Sequence, residues 1–115
     1  MINRQKQLED LHTHLDELIA VLAQDQACQW HSHFAWSEQR VVRLLSQGFT
    51  QDDLNELSSS VNHVFGGSGS FNDYAPVVQR LDGTFSIIVG MDSFDELASK
   101  VYDSALALRV AGNVA

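Results

Sequence analysis

The chain is poor in the residues that usually announce a chemistry. Cys28 is its single cysteine, so no internal disulfide can form and the chain reads as suited to a reducing compartment. No apolar run approaches the ~18 residues that span a membrane, and the opening stretch MINRQKQLED lacks the apolar core of a signal peptide. The expected localisation is cytoplasmic. Positive charge is scarce as well, with 7 basic against 15 acidic residues and a net charge of −8. Such a field repels nucleic acid, whose binding needs Lys and Arg at phosphates. It repels anionic membrane surfaces in the same way. It draws in a basic protein and speeds that encounter, and it also serves plain solubility.

The shortage of cations is uneven. Residues 1–48 hold four basic residues (Arg4, Lys6, Arg40, Arg43) and six acidic ones, whereas residues 49–115 hold three basic and nine acidic. What the chain has in quantity is apolar material, 44% of its 115 residues, which is enough for one core without disulfides or metal. A single domain over residues 1–115 is expected.

That apolar material is periodic. Leu8, Leu11, Leu15, Leu18 and Leu22 follow 3-4-3-4 spacing, predicting a helix from about Asn3 to Gln26 with Asn3 as its cap. The stretch CQWHSHFAWSEQRVVRLLSQG predicts a second helix. Trp30, Phe34, Val41 and Leu45 share one face there, and Trp36 lies off it as a second contact surface. Gly48 supplies the stop. Thr50 and Asp53 form a capping box, and Phe49 and Leu54 a hydrophobic staple, for a third helix from Gln51 to Val64. Its stripe is Leu54, Leu57, Val61 and Val64, and Ser58, Ser59 and Ser60 are expected to face solvent.

After a glycine-rich segment, FGGSGSFND, the period changes. VVQRLDGTFSIIV reads as two short strands joined by Asp82-Gly83, with the type I′ turn that pair favours and Pro76 before the first strand. Val78, Phe85, Ile87 and Val89 are expected on one face covered by a helix, because a lone two-stranded hairpin is marginal in water. Ser93 and Glu96 then cap a last helix, Ser93 to Val110, with Leu97, Val101, Ala105 and Leu108 as its stripe. The predicted fold is mainly α (α+β): three amphipathic helices, a Gly-rich loop, a short β-hairpin and a C-terminal helix, packed as one bundle-like domain.

Searching these elements for chemistry turns up little. The glycine loop lacks the Lys-Ser/Thr pair of a phosphate loop, and it has a helix before it and a strand after it, the reverse of a dinucleotide fingerprint. His12 and His14, like His31 and His33, are two apart and do not share a helix face. Glu9 and His12 match half of a di-iron motif without the second copy. The pairs Asp52/Asp53 and Asp95/Glu96 sit in first helical turns, where the helix dipole favours them. The third helix carries no Lys or Arg to read DNA. No catalytic residue, metal ligand or cofactor is assigned. A His31/His33/His63 cluster across helices stays open, and with it a small metal-dependent hydrolase.

The residues Gly66, Gly67, Gly69, Ser70, Phe71, Asn72 and Asp73 resemble a GGxGS(F/L)ND segment of small, acidic, uncharacterised bacterial proteins. Ser68 stands where those commonly carry Met. The resemblance covers eight residues and implies an immunity-type function, inhibition of a secreted bacterial toxin that acts in the cytosol. The expectation is therefore a non-enzymatic toxin inhibitor binding a basic cognate protein through charge. The partner-binding residues are expected to be Asp52, Asp53 and Glu56, with Asp82, Asp92 and Asp95 on the same acidic half, and the loop residues Phe71, Asn72, Asp73 and Tyr74. Trp36 and Tyr74 are the expected exposed anchors. Monomer and homodimer both remain possible, and a homo-oligomeric helical regulator is the other alternative.

Overall fold

The computed structural model describes residues 3–25, 28–65, 71, 74, 77–88 and 90–112. The elements run α1 (Arg4–Leu22), α2 (His31–Gln47), α3 (Gln51–Asn62), β1 (Val77–Gln79), β2 (Phe85–Ile87) and α4 (Phe94–Gly112). The domain is mainly helical, in the predicted order.

The predicted stripes supply the core, although on α2 only Phe34 and Val41 are buried while Trp30 and Leu45 pack half-buried against it. Leu8, Leu11, Leu15, Leu18 and Leu22 of α1 are fully buried, as are Leu57 and Val61 of α3 and Val101, Ala105 and Leu108 of α4. Burying one such side chain is worth about 1.5–3 kcal/mol, so α1 alone brings more to the core than any cap could. The four helices pack in a ring, α1 against α2 and α4 and α3 against α2 and α4, and the Arg4 side chain of α1 reaches across to Gln51 of α3.

The caps fall where the residues place them. Asn3 accepts from the Lys6 amide at 2.9 Å. Thr50 and Asp53 complete both halves of a capping box, with the Thr50 amide donating to Asp53 Oδ2 at 2.8 Å. Gly48 ends α2 at φ +91° and ψ 166°, not the left-handed helical position but another backbone conformation open mainly to glycine. One clamp had no sequence signal. Arg4 and Gln51, from the first turns of α1 and α3, both donate to the Leu108 carbonyl in the last turns of α4. A cation there opposes the negative end of the α4 dipole.

Several expectations are corrected. The first helix stops at Leu22, because beyond that leucine the stripe has no further apolar residue to hold another turn. The second starts at His31, later than the cysteine, and the third ends at Asn62 with Val64 buried beyond its end. Ser58 is buried, not solvent-facing: it stands four residues after Leu54 and three before Val61, inside the apolar arc.

The hairpin forms but differs in two respects. Its turn is not type I′. The Gly83 amide donates to the Arg80 carbonyl, the Arg80 amide donates to Thr84, and only Gly83 has positive φ, at +88°. This is a three-residue loop with a glycine bulge. Asp82, held by the Thr84 amide and hydroxyl, keeps an ordinary conformation. Nor is the hairpin covered. The strands pair antiparallel as Val77↔Ile87, Val78↔Ser86 and Gln79↔Phe85, so Val78 is out of register with the Phe85/Ile87 row. Phe85 and Ile87 are 65% and 52% exposed, and among the described residues neither strand contacts a helix. Val89 and Pro76 lie outside the described residues. The long axis of 57 Å is about twice the ~28 Å of a 19-residue helix, in keeping with a hairpin that stands off the bundle.

Candidate functional site

Phe71, just after the glycine segment, is the hub of an aromatic cluster. It is buried, and its amide donates to the Val64 carbonyl at 2.8 Å, tying it to the end of α3. Its ring meets Phe34 edge-on at 5.0 Å, Phe65 at 5.4 Å and Phe94 at 5.9 Å, and stacks on Tyr74 at 5.7 Å. Aromatic pairs in such geometries contribute about 0.5–1.5 kcal/mol each beyond their area. The cluster thus anchors the chain between α3 and the hairpin to the bundle.

On its outer side the cluster opens into a groove of 530 Å³. One wall is α4, which supplies Phe94, Asp95, Ala98, Ser99, Tyr102 and Asp103. Those positions advance by one and then three residues, the pattern of a single helix face. The other wall is Phe65, Phe71 and Tyr74. Phe65 and Tyr102 face each other edge-on at 5.3 Å, and Tyr74 and Phe94 do so at 5.4 Å. Ala98 keeps the floor low. The Tyr74 hydroxyl donates to Asp25 Oδ2 at 2.6 Å, which fixes that wall to the segment after α1. Burial and that hydrogen bond push the Tyr74 phenol well above its ordinary value, so it stays neutral. Among the described lining residues there is no histidine, cysteine, lysine or arginine. The groove offers aromatic rings, one serine hydroxyl and two carboxylates.

The expected site residues divide between this groove and a second surface. Phe71 and Tyr74 belong to the groove, Phe71 as buried support. Tyr74 is half-buried, not the exposed anchor expected, because its ring stacks on Phe71 and its hydroxyl is held by Asp25. Asn72 and Asp73 lie outside the described residues, as does the glycine segment 66–70. Trp36 is 56% exposed on α2. The Arg40 guanidinium lies 5.3 Å from the centre of its ring and bonds Glu56 Oε1 of α3 at 3.2 Å. Trp36 and Glu56 are thus joined through Arg40, with Asp52 exposed in the first turn of α3. Asp53 is spoken for by the Thr50 amide and serves the helix end. Asp82 and Asp92 are exposed, on the hairpin loop and just before α4.

The histidines do not gather. His33 Nε2 bonds the Val61 carbonyl at 3.2 Å, His63 is exposed, and among the described residues no three His, Cys, Asp or Glu side chains converge as metal ligands. One carboxylate pair went unnoticed in the sequence. Burial, and then Asp16 across the α1–α2 seam, raise the Glu38 carboxyl above its ordinary value. Two helices that are only adjacent in space cannot reveal that pairing by spacing. The groove was missed for the same reason: its α4 wall reads as the solvated side of an amphipathic helix until Phe65 and Phe71 are placed opposite it.

Comparison of the chain with protein-family models, curated proteins and solved structures gives no match.

Proposed function

We propose that this is a binding protein, an immunity-type inhibitor that recognises a basic bacterial toxin by charge complementarity and blocks it without bond-making of its own. The observation that carries this reading is the disposition of charge on the folded surface. Lys6, Arg40 and Lys100 are paired with Asp10, Glu56 and Glu96. Arg4 is engaged by Gln51 and the Leu108 carbonyl, and Arg109 by Ser59. Asp52, Asp82, Asp92, Asp95 and Asp103 are exposed. The chain therefore offers a partner carboxylates on a rigid bundle, while most of its few cations are already engaged. Such an arrangement steers a basic partner and suppresses acidic ones. The resemblance at Gly66–Asp73 supports the toxin as the partner.

The test is the affinity for the product of the adjacent reading frame. Asp52→Lys combined with Glu56→Lys is expected to weaken binding at least tenfold, mostly through a slower on-rate that depends on salt. Asp53 is left intact because it caps α3. Unchanged affinity would remove the α2–α3 face from the reading.

A further inference from the structure

We propose that the groove between α4 and Phe65, Phe71 and Tyr74 is the anchoring site for an extended basic segment of a protein partner, one carrying two arginines about 12 Å apart. This deepens the reading above and rests on it for the nature of the partner, while the groove chemistry stands on its own geometry.

Three features select the occupant. First, the walls are aromatic: Phe65, Phe71, Tyr74, Phe94 and Tyr102 all line the groove. An aromatic face attracts a guanidinium electrostatically and accepts its planar stacking. Second, the rim carries Asp95 and Asp103 without a lining cation among the described residues. The nearest candidates on α4 are engaged elsewhere, Lys100 with Glu96 at 3.6 Å and Arg109 with Ser59. A neutral apolar ligand would strip water from both carboxylates and return nothing, which is costly. A cationic one neutralises them. Third, Asp95 and Asp103 are eight residues apart on one helix, which places them about 12 Å apart along its axis. One guanidinium reaches one of them. An extended chain rising ~3.3 Å per residue puts same-side residues i and i+4 about 13 Å apart, so arginines at that spacing meet both. Between them, the aliphatic stems lie over the rings and Ala98. The wall is preorganised, since Tyr74 is held by Asp25 at 2.6 Å and stacked on Phe71, so little ordering is lost on binding.

The test is an NMR titration of the isotopically labelled full chain with the peptide acetyl-RGSGR-amide. Saturable shifts of the Ala98, Ser99 and Tyr102 amides are expected, with a millimolar Kd. Replacing one arginine by citrulline, its neutral isostere, should weaken binding about five- to tenfold, and replacing both should abolish it. The variants Asp95→Asn and Asp103→Asn, both at exposed positions and checked for an unchanged amide spectrum away from the groove, should each weaken the parent peptide by a similar factor. Each should also lose sensitivity to one of the two arginines. Equal shifts from the doubly citrulline-substituted peptide, or no saturable shift at the α4 residues, would overturn the proposal. Either result would leave the α2–α3 face untouched, because that face is judged separately by the Asp52 and Glu56 charge reversals.

Discussion

The bundle and the hairpin are built from the same kinds of side chain and meet opposite fates. Phe34 on α2 and Phe85 on β2 are both phenylalanines, yet one is fully buried and the other 65% exposed. Leu15 of α1 has no accessible surface, whereas Leu81 at the hairpin loop is fully exposed. The residue type fixes how much a burial would stabilise, and the partner surface decides whether that stabilisation is realised. Each helix carries a stripe wide enough to meet two neighbours, and four such helices close a ring. A two-stranded hairpin has a face but no second layer, and among the described residues neither strand reaches a helix. The α4 groove lies between these extremes. Its apolar rings are organised by one another while one side stays open to solvent.

The difference can be broken most forcefully from the bundle. Leu15→Ala should cost about 2–5 kcal/mol, because a ring of close-packed helices cannot collapse fully around the cavity. Chemical denaturation should show the loss as a lower midpoint with little change in slope.

A smaller effect, of opposite sign, is expected at the α1–α2 seam. A carboxyl whose folded value is raised has a contribution that is most favourable below its unfolded value and is lost as pH rises through the folded one. At neutral pH the ionised Glu38 beside Asp16 is therefore unfavourable. Glu38→Gln should stabilise by about 0.5 kcal/mol near pH 7, as exposed charge pairs go, and the gain should vanish below pH ~4. A gain that persists into acid would mean that the Asp16 contact is not its source.

The smallest effect on stability is expected at the hairpin. Phe85→Ser and Ile87→Ser should shift the unfolding free energy by no more than about 0.5 kcal/mol. If instead they destabilise strongly, or if sedimentation shows an associating wild type and monomeric variants, the bare face is covered in solution by a second copy. The homo-oligomeric alternative would then gain ground.

Legibility followed the range of the interaction. The helix stripes, the Asn3 and Thr50/Asp53 caps and the Gly48 stop depend on residues within a turn or two of one another, and each was readable. Asp82-Gly83 correctly marked a turn, but its type depended on one more residue of loop, which the dipeptide alone does not report. Phe71, expected at the partner surface, is instead buried, because the rings of Phe34, Phe65 and Phe94 from three separate parts of the chain enclose it. The Arg4–Leu108 clamp, the Glu38–Asp16 pair, the burial of Ser58 and the aromatic groove were not readable.

The amino-acid order by itself determined the number of helices, most of their core faces, the caps of α1 and α3, the Gly48 stop, and an acidic net charge. These follow from side-chain spacing, capping chemistry and net charge, all of which act locally or as sums. Only the tertiary structure decided that the hairpin would stand uncovered and that Phe65, Phe71 and Tyr74 would face Asp95, Tyr102 and Asp103 across a groove. Those outcomes depend on which helices become neighbours, and residues distant in the chain carry no periodic signal of their meeting.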